Sequence, residues 1–243
     1  MKIALAQIQS IAGDISANIE RHISAIRAAA KQGADLVIFP ELSLTNYEPN
    51  LAGSLATDTK DARFTIFSGL ADSLDISIVA GMPLRSEKGI TISCLVFQPG
   101  IPVQRYDKQI LHADELPFFI SGSQQLILQI KEYKIALAIC YESVQSSHAE
   151  NALKQGADIY LATVSKPLRA LRNAHTFYSM FAAAHQIPVL MVNGVGPADN
   201  FVAAGSSAYW NPDGILVSTL DSENESLLLA DITLKKGAAF AVF

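Results

Sequence analysis

Short apolar runs alternate along the whole chain with stretches in which apolar residues recur every third or fourth position. Lys2–Gln7 predicts a strand, after which Ile15, Ile19, Ile23, Ile26 and Ala30 trace one face of a helix. Asp14 suits the N-cap of that helix, and Gly33, just beyond Lys31-Gln32, suits its stop. Leu36–Phe39 predicts a second strand, so the opening reads as a strand–helix–strand unit with parallel strands. Further strands are expected at Ile76–Met82, Thr91–Gln98, Val103–Tyr106, Leu126–Ile130, Lys134–Ile139, Ile159–Thr163 and Pro188–Asn193. Helices are expected over Asp61–Leu74, His148–Gln155 and Leu168–His185, and closing strands over Ser206–Trp210, Leu216–Thr219 and Ser226–Asp231. Turn signals at Gln98-Pro99-Gly100 and Asn211-Pro212-Asp213-Gly214 separate strands that read as antiparallel. With no linker, repeat or low-complexity stretch, residues 1–243 read as one mixed α/β domain.

Composition narrows the function. Half of the 243 residues are apolar and 17% are charged, enough to build a substantial core. The net charge of −5 comes without any cluster of Lys and Arg, which argues against nucleic acid as a partner. Gln7 and Gln9 interrupt the apolar start as no secretory signal would, and no run approaches the roughly 20 apolar residues of a membrane span, so a cytoplasmic protein is expected. Two cysteines without a Cys-x-x-Cys suggest neither a disulfide framework nor a metal site.

Candidate chemistry gathers at strand ends, where parallel sheets collect ligands. Glu41 follows the run Leu36–Phe39 behind Pro40, Lys108 follows the strand ending at Tyr106, and Cys140 ends the run Ile135–Ile139. A thiol, a carboxylate and an ammonium are what acyl transfer needs: a nucleophile, a base for its proton, and a positive group for the carbonyl oxygen that becomes negative. Taken singly each has a structural explanation, because a strand-end cysteine packs as a small core residue and a loop lysine sits on the surface.

Local sequence adds to this. Ala6-Gln7, Gly13-Asp14 with Asn18, and Gly33-Ala34-Asp35-Leu36-Val37-Ile38-Phe39-Pro40-Glu41-Leu42 with Leu44-Thr45 and Tyr47 resemble the opening of the nitrilase superfamily of carbon–nitrogen hydrolases, amidase-like branch. Tyr106-Asp107-Lys108 with Leu111 resembles its lysine motif, and Ile139-Cys140-Tyr141-Glu142 its nucleophile motif. The motifs stand in the family's order, and the similarity runs to about Gly214. The resemblance implies an α/β fold, a four-layer α-β-β-α sandwich with mixed sheets, which pairs with a second copy and uses neither metal nor organic cofactor. It implies Glu41 as general base, Lys108 as oxyanion stabiliser and Cys140 as nucleophile. Glu115, in Glu115-Leu116-Pro117-Phe118-Phe119-Ile120-Ser121-Gly122, would position substrate and water. The N–H of Tyr141 would complete the oxyanion hole, with Tyr47 and Thr163 beside the substrate.

The chain departs from the family after the nucleophile (Ser143-Val144-Gln145-Ser146-Ser147-His148), on the long helix (Phe181-Ala182-Ala183-Ala184-His185), and at Thr163-Val164-Ser165-Lys166-Pro167, which lacks the usual aromatic. These positions bear on which substrate is taken. The expected substrate is a small carboxamide. Nitriles, N-carbamoyl compounds, the glutaminase half of a synthetase and a non-catalytic binding role are the alternatives.

Other sites are weaker. Gly194-Val195-Gly196 lacks the third glycine of a dinucleotide fingerprint and reads as a turn. Gly205-Ser206-Ser207 is no serine-nucleophile elbow. A Cys140–His pair with His112 or His148 is the alternative dyad, and Cys94, inside Cys94-Leu95-Val96-Phe97, reads as core.

Overall fold

A strand whose middle is an unbroken apolar run suits a sheet covered on both faces, and β1 (Lys2–Gln7), with Ile3–Ala6 at its centre, is such a strand. Its Ile3 and Leu5 point to one side and Ala4 and Ala6 to the other, and all four are fully buried. The computed structural model describes residues 1–242. α1 (Ile15–Lys31) follows, with the Asp14 side chain accepting from Ala17 N at 3.0 Å as its N-cap and Gly33 beyond its end at φ +74°. β2 (Leu36–Ile38) then pairs in parallel with β1. α2 (Ala52–Leu55) and α3 (Thr65–Leu74) lead to β3 (Ser77–Ser86), parallel to β2, and β4 (Gly89–Gln98) and β5 (Ile101–Asp107) continue as an antiparallel meander.

A second sheet begins with β6 (Ile127–Ile130) and β7 (Tyr133–Ile139). α4 (Ser146–Lys154) connects β7 to the parallel β8 (Ile159–Val164), and α5 (Leu168–His185) connects β8 to the parallel β9 (Val189–Asn193). A small hairpin, β10 (Val195–Ala198) and β11 (Phe201–Ala204), precedes β12 (Ala208–Trp210) and β13 (Leu216–Thr219). The chain then returns to the first sheet as β14 (Ser226–Asp231) and β15 (Lys236–Ala241). The strand orders are β15-β14-β1-β2-β3-β4-β5 and β13-β12-β9-β8-β7-β6.

Three apolar layers hold the fold. Leu5, Ile38, Val79, Leu137, Leu161 and Leu190 meet between the sheets. Ile19, Ile26, Phe67 and Leu70 seal the outer face of the first sheet beneath α1 and α3, and Ala149, Tyr178, Phe181 and Trp210 seal that of the second beneath α4 and α5. This is the α-β-β-α sandwich with mixed sheets that the resemblance implied. No helix of the described residues is long and apolar enough to cross a membrane.

Two expectations are corrected, and one strand had no counterpart in the sequence pattern. Gly194-Val195-Gly196 opens the β10–β11 hairpin instead of forming a plain turn. The stretch Asp61–Leu74 begins as a 3-10 turn, Ala62–Phe64, capped by Asp61, before α3 starts. β15 gave no apolar run because it is a mostly exposed edge strand, and it pairs with β14 through its backbone.

Candidate active site

Glu41 sits on a turn directly after β2. Leu42 adopts φ +52° there, and Ser43 N bonds back to Pro40 O at 3.1 Å. The turn presses onto Gly81 of β3, where a Cβ would lie 2.3 Å from Leu42 N and 2.8 Å from Pro40 O, so only glycine fits. Lys108 directly follows β5. Its carbonyl accepts from Gly122 N at 2.7 Å, a second close approach: a Cβ on Gly122 would lie 2.3 Å from Asp107 O.

These two elements bring opposite charges together in the interior. Lys108 Nζ donates to Glu41 Oε1 at 2.8 Å and to Glu115 Oε1 at 2.6 Å, with all three side chains buried. Glu115 is itself fixed, accepting from Tyr47 OH at 3.1 Å and, through Oε2, from His112 N at 2.7 Å. Glu41 Oε2 is buried and is the free acceptor of the group, with no hydrogen-bond partner among the described residues.

Cys140 turns the chain sharply after β7. It adopts φ +49°, a left-handed conformation that costs a non-glycine residue on the order of 1–3 kcal/mol and marks functional sites when the surroundings enforce it. The enforcement is visible: Cys140 N donates to Thr163 O at 2.9 Å, and Ser143 N and Oγ donate to Cys140 O at 3.2 and 2.6 Å. The N–H of Tyr141 donates to no group among the described residues. The sulfur is half-buried, 3.9 Å from Ser165 O.

Charge sets where the protons rest. Burial pushes the Cys140 thiol up to about 11, Glu41 pushes the same way, and Lys166 and Lys108 oppose them. Burial alone would discharge Lys108, yet Glu41, Cys140 and Glu115 hold its pKa above that of a free lysine. Burial raises Glu41 above the usual carboxylate range against the pull of Lys108, with Glu115 adding to the rise. The resting arrangement is therefore a protonated thiol beside a carboxylate whose affinity for a proton has been increased.

A cleft of about 320 Å³ opens onto this group, lined by Tyr47, Glu115, Cys140, Tyr141, Lys166 and Phe201 among others. Glu41 and Lys108 are sealed behind that lining. Thr163 does not line the cleft as a substrate contact would. It is fully buried, and its hydroxyl donates to Phe39 O at 2.7 Å across the two sheets while its carbonyl holds Cys140 N. Thr163 thus ties the strand before Glu41 to the turn carrying Cys140.

The histidine alternatives are not supported by geometry. His148 is buried between Tyr106 and Tyr160, at 2.8 and 2.9 Å, and His112 faces Asp114 at 2.6 Å and the edge of the Tyr141 ring. Cys94 is core, 1% exposed. No cluster of His, Cys, Asp and Glu suited to a metal occurs among the described residues.

One carboxylate was quoted in the nucleophile motif without a role. Glu142 is fully buried; Oε1 accepts from Tyr106 OH at 2.6 Å and Ile139 N at 2.8 Å, and Oε2 from Gln109 N at 2.6 Å and Ile110 N at 3.1 Å. It joins the backbone just before Cys140 to the backbone just after Lys108. The signal in the sequence was a charged residue directly after an apolar strand and its turn, indistinguishable there from a solvated one.

The chain belongs to the carbon-nitrogen hydrolase family, whose model matches residues 2–241. Among relatives, it is 28% identical to a glutamine-dependent NAD(+) synthetase of Acinetobacter baylyi over 97% of this chain and 44% of that one. The chain thus spans less than half the length of that synthetase. It is 25% identical to the omega-amidase YafV of Escherichia coli over 96% of this chain and 90% of that one. Its fold matches the NitN amidase of Nesterenkonia sp. AN1 with a TM-score of 0.87 at 24% identity, over 95% and 92% of the two chains.

Proposed function

We propose that the protein hydrolyses the amide of a small carboxamide through a thioester on Cys140. The observation that carries this reading is the buried Glu41–Lys108–Glu115 ion group beside a strained cysteine turn, with one carboxylate oxygen and one backbone N–H left without partners. A buried polar atom left unpaired, as Glu41 Oε2 is, is costly, and it persists where a ligand or a transition state completes it.

Substrate enters the cleft with its carbonyl oxygen toward Lys108 Nζ and Tyr141 N–H. The Cys140 proton passes to Glu41 Oε2 as sulfur bonds to the carbonyl carbon, and the developing oxyanion is held by the two donors. Glu41 then gives the proton to the departing nitrogen, and the C–N bond breaks to release ammonia or an amine. Water adds to the thioester, its proton going to Glu41, and the S–C bond breaks as the thiol recovers that proton. Glu115 keeps Lys108 aimed and shares its charge. In a mutant of the Nesterenkonia amidase the acetamide moiety of fluoroacetamide is attached at the active-site cysteine, which agrees with this role for Cys140.

The identity to the NAD(+) synthetases favours glutamine as one amide to test. Ammonia release from a panel of aliphatic amides, ω-amides of dicarboxylic acids and glutamine is expected for the parent and absent for Cys140→Ala. Intact mass of the protein quenched during turnover should show the acyl group on Cys140. Turnover by Cys140→Ala at the parent rate would refute the mechanism.

A further inference from the structure

Lys166 is only 8% exposed, lines the cleft, and its ammonium has neither a hydrogen bond nor an ion pair among the described residues. With its stem packed and its ammonium facing the cleft without a counter-charge, the side chain is placed to meet an anionic group on a ligand. The surrounding backbone holds it in place: Lys166 N donates to Asn193 Oδ1 at 2.8 Å, while Asn193 Nδ2 donates to Lys166 O at 3.0 Å and to Gly205 O at 2.9 Å. Asn193 is fully buried, so the position of Lys166 is set by the core of the second sheet.

A second feature points at the same place. α5, 18 residues long, starts two residues later, and no side chain caps it. Its N-cap Pro167 and first-turn residues Arg169 and Ala170 line the cleft. The leading N–H groups of a helix have no intrahelical acceptors and carry partial positive charge, which suits an anion. Arg169 is exposed at the mouth. The acidic side chains nearby are Asp114, largely exposed and paired with His112, and Asp199, also exposed; Glu115 already serves Lys108.

From these observations we infer that Lys166 and the start of α5 form a subsite for a carboxylate on the acyl side of the substrate, so that the preferred substrates are ω-amides of short dicarboxylic acids. The inference rests on the amidase reading for the place of the scissile amide. Lys166 also acts on the Cys140 thiol, lowering its pKa, so the test must separate recognition of the substrate from activation of the sulfur.

Compare kcat/KM for succinamate and glutaramate with that for the neutral butyramide and valeramide in the parent, Lys166→Met and Lys166→Arg. The parent should favour the anionic amides. In Lys166→Met the anionic-to-neutral ratio should fall about 10- to 100-fold, the worth of one charge-assisted contact, and Lys166→Arg should restore part of it. An unchanged ratio, with both substrate classes slowed alike, would overturn the subsite and leave Lys166 serving only the thiol. A parent without anionic preference would overturn it as well. Should no amide be turned over, the amidase reading fails by itself, and protection decides the subsite: glutarate should slow iodoacetamide labelling of Cys140 in the parent and not in Lys166→Met. Absence of protection in the parent would overturn the subsite.

Discussion

Glu142 offers a direct test of how the Cys140 turn and Lys108 are held in register. Its carboxylate accepts four hydrogen bonds at 2.6–3.1 Å, three of them from backbone N–H groups that cannot turn to other acceptors. Glu142→Gln keeps one oxygen. That oxygen is best placed toward Gln109 N and Ile110 N, since the Tyr106 hydroxyl can accept from the new NH2 group and donate instead to His148 Nε2, 2.8 Å away. Such a reversal runs on through the imidazole, whose Nδ1 faces Tyr160 OH at 2.9 Å and can take the proton.

Ile139 N, the residue before Cys140, is then the one group without an acceptor. One buried donor left unsatisfied costs about 1–3 kcal/mol. For a chain of this size a loss of that order lowers the melting temperature by roughly 2–4 °C per kcal/mol. Glu142→Ala strands all three N–H groups and should cost at least about 3 kcal/mol. Calorimetry or thermal unfolding by circular dichroism measures the shift, and the rate of iodoacetamide labelling of Cys140 reports on the site without a known substrate. If Glu142→Ala melts within about 1 °C of the parent, the bridge contributes nothing and the reasoning is wrong.

Two further outcomes follow from other buried positions. Gly81→Ala places a methyl 2.3 Å from Leu42 N, backbone against backbone, so the Glu41 turn must shift; a loss of about 1–3 kcal/mol is expected in denaturant melts, and a neutral result would show the turn to be compliant. Burial lowers His22 to about 3 and His148 to about 4, so both stay neutral in the folded protein while the unfolded chain takes up protons below about 6.5. The stability they contribute is complete above that pH and is lost as pH falls through 6.5 toward 4; urea midpoints unchanged between pH 7 and pH 4.5 would contradict it.

The sequence announced most of the frame because apolar periodicity is a local property. β1, α1 and β2 stand where the pattern of Ile15, Ile19 and Ile26 and the Asp14 cap put them, and α5 spans the expected Leu168–His185. β15 escaped because an edge strand needs no apolar side chains, only backbone donors and acceptors facing β14. Glu41, Lys108 and Cys140 were legible as candidates from their places at strand ends and from the ordered motifs. Thr163 was placed in the right region and the wrong direction: alternation along β8 does not say which face the cleft occupies, and its side chain spans to Phe39 O. The partnerless state of Lys166 could not be read at all, because whether an ammonium has a counter-charge depends on which side chains line the same cleft, and Tyr47, Cys140 and Phe201 reach it from distant parts of the chain.

On the proposed mechanism, the charges explain why the thiol stays quiet until an amide arrives. Lys108 is already shared by two carboxylates, and ionising Cys140 beside Glu41 would add a further negative charge to a group sealed from water. Burial and Glu41 raise the thiol's pKa, and neither Lys166 nor Lys108 offsets them in full. An incoming carbonyl changes that balance, because the negative charge can move from sulfur to an oxygen facing Lys108 Nζ and the unused Tyr141 N–H, while the proton stays on Glu41. The sulfur would then become nucleophilic only as its proton passes to Glu41 and the carbonyl takes up the charge, and a cysteine held mostly protonated at neutral pH is also one protected from oxidation, which acts on the thiolate.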